Sequence, residues 1–200
     1  MENFLLKESG LEEQPDMARF FIWNLDVTQW TKREHLCDKY SWAVPNEAAL
    51  KAIAKHAPIV EIGAGRGYWA KLLQDRGVDI IPYDINPPSL GNNSYHRGFH
   101  KLTWTEVFSG NAKKAALHND RTLFLCWPPY DTSCAFDALN NYTGKKVIFV
   151  GEEQGGCTGD NKFFSLLSKN FKMTKQISIP QWFGIHDSLM IFKRKRLTIF

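Results

Sequence analysis

Apolar and polar positions along the chain alternate between two spacings. Short continuous apolar runs, Pro58 to Ile62, Val78 to Tyr83, Thr122 to Trp127 and Lys146 to Val150, are too short for helices and read as buried strands. Between them lie stretches with helical spacing: Asn46 to His56 with Ala49, Leu50 and Ile53 inward, Tyr68 to Arg76 with Trp69, Leu72 and Leu73, Ser133 to Leu139, and a segment capped by Asp160 with Phe163, Phe164, Leu166 and Leu167. A short helix is expected over Asn111–His118, and a third strand near Tyr95–His100. Two last strands, Met173–Ile179 and Ser188–Lys193, are expected as an antiparallel pair at the sheet edge. Strand and helix in alternation predict an α/β fold with a mostly parallel sheet covered on both faces.

Ahead of this core the first dozen residues are expected to be a flexible arm. Pro15 is expected to open a helix with Ala18, Phe21, Ile22 and Leu25 on one stripe, and Thr28 to cap a second through about Cys37. Residues 1–45 thus form an arm and helical cover, and residues 46–200 the core, of a single domain. Two hundred residues are enough for one sizeable core and few for two.

The chemistry gathers after the first strand. The stretch Val60-Glu61-Ile62-Gly63-Ala64-Gly65-Arg66-Gly67-Tyr68 is strand, glycine turn and helix start, the opening of a nucleotide-binding unit in which glycines let the backbone approach a ligand. Asp84 ends the second strand about twenty residues past the first glycine, the place of an acid that accepts from a ribose diol. A dinucleotide fingerprint wants a small residue where Tyr68 stands; the pattern here is E-x-G-x-G-x-G. On these residues the chain resembles the class I, Rossmann-like S-adenosylmethionine-dependent methyltransferases. The resemblance implies a three-layer Rossmann-like sandwich with a seven-stranded sheet whose last strand is antiparallel. It implies S-adenosylmethionine as cofactor and S-adenosylhomocysteine as product, with Glu61, Gly63, Ala64, Gly65, Gly67, Tyr68 and Asp84 around them.

Loops leaving other strands on the same side carry the rest. Trp127-Pro128-Pro129-Tyr130 resembles the fourth motif of methyltransferases acting on amino nitrogens, with Trp127 where that motif has Asp, Asn or Ser. Two prolines are expected to turn a carbonyl into the pocket, and Tyr130 to stack on a planar acceptor. Tryptophan offers only an N–H donor, so it does not take a proton from an amine. Asp131 either supplies the carboxylate that Trp127 does not or, as the favoured reading after a rigid turn, caps the next helix. In Gly151–Gly159, Glu152 and Glu153 read either as a hydrogen-bonding site or as solvated acids, and Cys157, with no basic neighbour, as an inert thiol. The Tyr40-Ser41-Trp42-Ala43-Val44-Pro45 link together with these motifs resembles a family of stand-alone methyltransferases. It implies that Tyr40 and Trp42 lie near the cofactor, where aromatic faces attract a sulfonium cation; packing under the helical cover is the equal alternative.

Composition narrows the classes. With 44% apolar and 14% aromatic residues the chain is ordinary globular. No apolar run approaches a membrane span, and residues 1–20 carry four acids before Pro15, which argues against a secretory signal. Four scattered cysteines make no C-x-x-C pair and fit a reducing, cytoplasmic compartment; no histidine has a second ligand at metal spacing, so no metal is expected. A net charge of +4 does not by itself imply nucleic acid, and Lys193-Arg194-Lys195-Arg196 reads as a charged sheet edge, with a phosphate-contacting patch as the alternative. The expected function is methyl transfer to a small molecule or protein side chain. Nucleic-acid amino-group methylation and an inactive cofactor-binding domain are the alternatives, and an NAD-dependent oxidoreductase a distant fourth.

Overall fold

A computed structural model describes residues 1–11, 27–99 and 101–196. Its sheet has seven strands: β1 (Ile59–Ile62), β2 (Ile80–Asp84), β3 (Phe108–Ser109), β4 (Thr122–Cys126), β5 (Lys146–Gly151), β6 (Phe171–Ser178) and β7 (Ser188–Arg194). Their order is β3-β2-β1-β4-β5-β7-β6, and only β7 runs antiparallel to its neighbours. The order reverses at β1, so the ends of β1 and β4 open a crevice between outward-turning connections, where open α/β sheets bind ligands.

Strand parity splits the core in two. Ile59, Phe124, Ile148 and Val150 face one side with α1 (Phe4–Ser9), α2 (Val27–Lys39), α3 (Glu47–Ala54) and α4 (Tyr68–Gln74). Val60, Leu123, Leu125, Val147 and Phe149 face the other, against α5 (Cys134–Asn141) and α6 (Asn161–Asn170). Both faces of the central strands are buried, which is why they read as continuous apolar runs. Glu61 has the parity of Ile59 and therefore enters the α1–α4 layer, where it is buried. Asn46 and Asp160 cap α3 and α6 through bonds from the amides of Ala49 and Phe163.

Four expectations are corrected. The N-terminal residues are not a loose arm: α1 is anchored by fully buried Leu5, whose N–H donates to the Tyr68 hydroxyl (2.9 Å), and the chain amino group pairs with Asp75 (2.7 Å). The helix expected after Pro15 lies outside the described residues.

The third strand is not Tyr95–His100 but Phe108–Ser109. Side chains take the backbone groups of the earlier segment before a sheet can: Asp38 accepts from the Gly98 N–H, and buried Arg66 donates to the carbonyls of Phe99 and Leu102.

The basic run is not on an edge. Strand β7 lies between β5 and β6, and Lys193 stands between Lys146 and Lys172. Finally, Ser133 and not Asp131 sits at the N-cap of α5.

Candidate active site

The glycine turn is built by backbone hydrogen bonds to β2. The N–H groups of Gly63 and Ala64 both donate to the Tyr83 carbonyl (2.8 and 2.9 Å), which fastens the turn to the neighbouring strand. Gly63, Gly65 and Gly67 all have positive φ (78°, 54° and 71°), a region costly for residues with a Cβ. A side chain at Gly65 would meet His96 Nε2 at 2.5 Å, and one at Gly67 would meet Val107 at 2.8 Å, whereas one at Gly63 would point into open space. Gly63 thus presents bare backbone to a cavity of about 660 Å³ at the strand ends. Of the residues expected around the cofactor and at the two-proline motif, all border this cavity except Gly67, which lies in the turn against Val107 and Thr105. The three loops expected to meet there do so, with Cys157 representing the 151–159 loop on the wall.

Two carboxylates define one end. Asp84 is held by the N–H groups of Gly65 (2.8 Å, to Oδ2) and Asn86 (2.9 Å, to Oδ1) and by the Asn93 amide (3.3 Å, to Oδ1). These bonds fix its orientation and leave Oδ2 with room for a further donor. Glu61 is different: its Oε2 is buried with no hydrogen-bond partner. Burial first, and the negative charge of Asp84 second, push its carboxyl up to about 8. A buried acceptor without a donor is costly, and its position on the cavity wall marks where a donor or cation is missing.

The other end is aromatic. Trp42 and Trp127 stack at 5.7 Å between ring centroids, and the Arg33 guanidinium lies over both, at 5.5 and 5.8 Å. The cation against these rings is therefore the protein's own. Tyr40 lines the cavity but is also packed as a core residue, stacked on Trp104 (4.9 Å) with its hydroxyl donated to Glu8 (2.6 Å). Tyr68 also borders the cavity, while its hydroxyl accepts from Leu5 and donates to Asn3.

Trp127 has φ of +51°, rare for a bulky residue, and is held there from two sides. Its backbone N–H donates to the Val150 carbonyl (2.8 Å), and its indole N–H to Asp187 Oδ2 (2.7 Å). Asp187 is buried, its Oδ1 has no partner, and burial pushes its carboxyl up to about 7 despite the bond from Trp127. Of the carbonyls in the two-proline turn, that of Pro128 accepts from the Gly159 N–H (2.9 Å), so it is not the free acceptor such a turn was expected to offer. Tyr130 is exposed at the mouth. Asp131 faces the cavity.

Glu152 is neither solvated nor on the cavity wall. It is buried and closes its own loop, accepting from the N–H groups of Cys157 (2.7 Å) and His186 (2.8 Å). Burial alone would raise its pKa, and these bonds outweigh burial to hold it below the ordinary carboxylate value. Burial raises the thiols of Cys126, Cys134 and Cys157 instead, so they stand as thiols and not as nucleophiles. No group of His, Cys, Asp and Glu among the described residues could hold a metal ion.

Arg33, Asn93, His96 and Asp187 carried no sequence signal. Each comes from a helix or loop distant in the chain, with no spacing to tie it to the glycine turn. Arg66 was legible only as a residue inside that turn; its structural use is to tie α2 to the 99–102 loop, through the Asp38 backbone and carboxylate and two carbonyls.

No family model matches the sequence, and no curated protein does. Solved structures do match by fold. An O-methyltransferase of neocarzinostatin biosynthesis (NcsB1), in complex with S-adenosylmethionine and 2-hydroxy-5-methyl naphthoic acid, superposes with a TM-score of 0.54 at 14% identity, over 85% of this chain and 59% of that one. The magnesium protoporphyrin IX methyltransferase of Synechocystis PCC 6803, with S-adenosylhomocysteine bound, superposes with a TM-score of 0.51 at 9% identity, over 89% of this chain and 92% of that one. With its strand order and antiparallel β7, this chain has the fold of the class I, Rossmann-like S-adenosylmethionine-dependent methyltransferases.

Proposed function

We propose that the chain is an S-adenosylmethionine-dependent methyltransferase acting on a small-molecule acceptor, with residues 1–200 working as one domain. The observation that carries this reading is the pair of carboxylates at the glycine turn: Asp84, oriented by three donors, and Glu61, buried with an unpartnered oxygen. The residues fit the group. Glu61 lacks the donor that an amino-acid ammonium offers, Asp84 Oδ2 keeps acceptor capacity for a ribose hydroxyl, and Gly63 leaves the backbone open to close approach. A cavity of about 660 Å³ is within the roughly 300–1,000 Å³ of small-molecule sites.

When bound, S-adenosylmethionine supplies a methyl group on a sulfonium whose thioether is already a good leaving group. The chain then has to align an acceptor and exclude water, which needs neither a triad nor a metal. Gly63, Ala64 and Gly65 with Glu61 hold the amino-acid end and Asp84 the sugar; Trp42 and Trp127 to Tyr130 form the acceptor side. Both structural neighbours are named for or bound to small molecules, which supports that acceptor class. Nucleobase amino-group chemistry is the weaker reading, because position 127 presents an indole N–H already given to Asp187. Four unpaired cysteines support a reducing, cytoplasmic setting, and no helix among the described residues is long and apolar enough to cross a membrane.

Calorimetry with S-adenosylhomocysteine and NAD tests the cofactor, and labelled S-adenosylmethionine with fractionated lysate tests transfer. The homocysteine product is expected to bind, and Asp84→Ala to weaken it roughly 10–100-fold through loss of charge-assisted hydrogen bonds. Binding of NAD alone, or full affinity in Asp84→Ala, would overturn the reading.

A further inference from the structure

Arg33 is the one arginine or lysine among the described residues that border the cavity. It reaches there from α2, and its guanidinium lies 5.5–5.8 Å from the ring centroids of three indoles, those of Trp30, Trp42 and Trp127. Its Nε is buried without a hydrogen-bond partner, and no ion pair forms on it among the described residues. Asp187 is near enough to feel its charge, but that carboxylate is bonded to the Trp127 indole instead. A guanidinium set among aromatic rings with donors unspent offers a fork to a planar anion.

The surroundings restrict that anion. Glu61, Asp84, Asp131 and Asp137 also line the cavity. His96, the other basic side chain on the wall, has its pKa lowered by burial and brings no cation. Acids outnumber the one guanidinium, so a polyphosphate or a nucleic-acid backbone is repelled, and a single carboxylate is the most that Arg33 neutralises. The mouth is apolar and aromatic: Trp30, Ile85, Tyr95 and Tyr130 border the cavity and are 41–66% exposed. Such a rim favours a flat aromatic body.

Resting on the methyltransferase reading, we propose that the acceptor is a small aromatic carboxylic acid whose carboxylate is held by Arg33 and whose ring lies between Tyr95 and Tyr130. Arg33 is then the residue that selects acids over their neutral analogues.

The probes are hydroxybenzoates and hydroxynaphthoates, each beside its carboxamide, titrated into protein saturated with S-adenosylhomocysteine. Acids are expected to bind about tenfold or more tightly than their amides, as a charge-assisted pair lost to a neutral one predicts. That preference is expected to vanish in Arg33→Gln and to return in part in Arg33→Lys, with affinity for S-adenosylhomocysteine measured in each variant as the control on folding. Equal binding of acids and amides, an acid preference that survives Arg33→Gln, or no binding of any acid to the loaded protein would overturn the proposal. Failure of the homocysteine to bind would instead overturn the cofactor reading on which it rests.

Discussion

Replacing Glu61 by Gln isolates the cost of the unpartnered carboxyl. Glu61 is buried, and its carboxyl stands at about 8 against an ordinary value near 4.3. Because the folded value is the higher one, the folded protein keeps a proton through this window that the unfolded chain releases. Stability from this group is therefore lost as pH rises from about 4.3 to 8, and the loss is complete above the folded value. At 1.36 kcal/mol per tenfold, the loss between pH 5 and pH 7.5 comes to about 3 kcal/mol. For a domain of this size, with roughly 2–4 °C per kcal/mol, the melting temperature of the wild type should fall relative to Glu61→Gln by roughly 6–12 °C over that range. Melts of both proteins at half-unit steps, without ligand, read the difference directly. Saturating S-adenosylhomocysteine should shrink it, because its ammonium favours the charged form, and binding at pH 7 should release close to one proton from the wild type and none from the variant. A melting difference constant from pH 5 to pH 7.5 would refute the account of Glu61 as an uncompensated buried acid.

Three further substitutions probe the opposite walls. Trp127→Phe keeps the ring but leaves Asp187 with no donor, at about 1–3 kcal/mol. Asp187 already stands at about 7 and would rise further without the indole bond, so the penalty should be larger at pH 8 than at pH 5 in chemical denaturation. An equal penalty at both would show that the bond matters only as packing. Gly65→Ala should cost clearly more than Gly63→Ala in thermal melts: both bear the positive-φ cost of roughly 1–2 kcal/mol, but only at Gly65 does the new Cβ meet a side chain, His96 Nε2 at 2.5 Å. Gly63→Ala should instead show its effect in the affinity for S-adenosylhomocysteine, since its methyl enters the open cavity.

How far the sequence could be read depended on how local the determinants were. The apolar runs of β1, β4 and β5 were legible because both their faces are buried, and a continuous run needs no partner to be recognised. The glycine turn was legible because positive φ at three positions calls for glycine whatever surrounds it. The segment Tyr95–His100 misled because its residue types carry no mark of Arg66 and Asp38, which take its backbone groups from elsewhere in the chain. For Glu152 the sequence left a hydrogen-bonding role and a solvated one open, because its donors are the backbone N–H groups of Cys157 and His186, which residue types do not disclose.

The one-dimensional pattern thus determined the alternation of strand and helix, the bend of glycines and the acid that closes β2, each set by steric and solvation demands within a few residues. Only the folded arrangement decided that Glu61 would be left without a donor, that an α2 arginine would lie across two stacked indoles, and that Asp187 would clasp the indole of Trp127. These depend on which side chains distant in sequence share a buried space, and burial is what turns an ordinary carboxylate or guanidinium into a group that demands a partner.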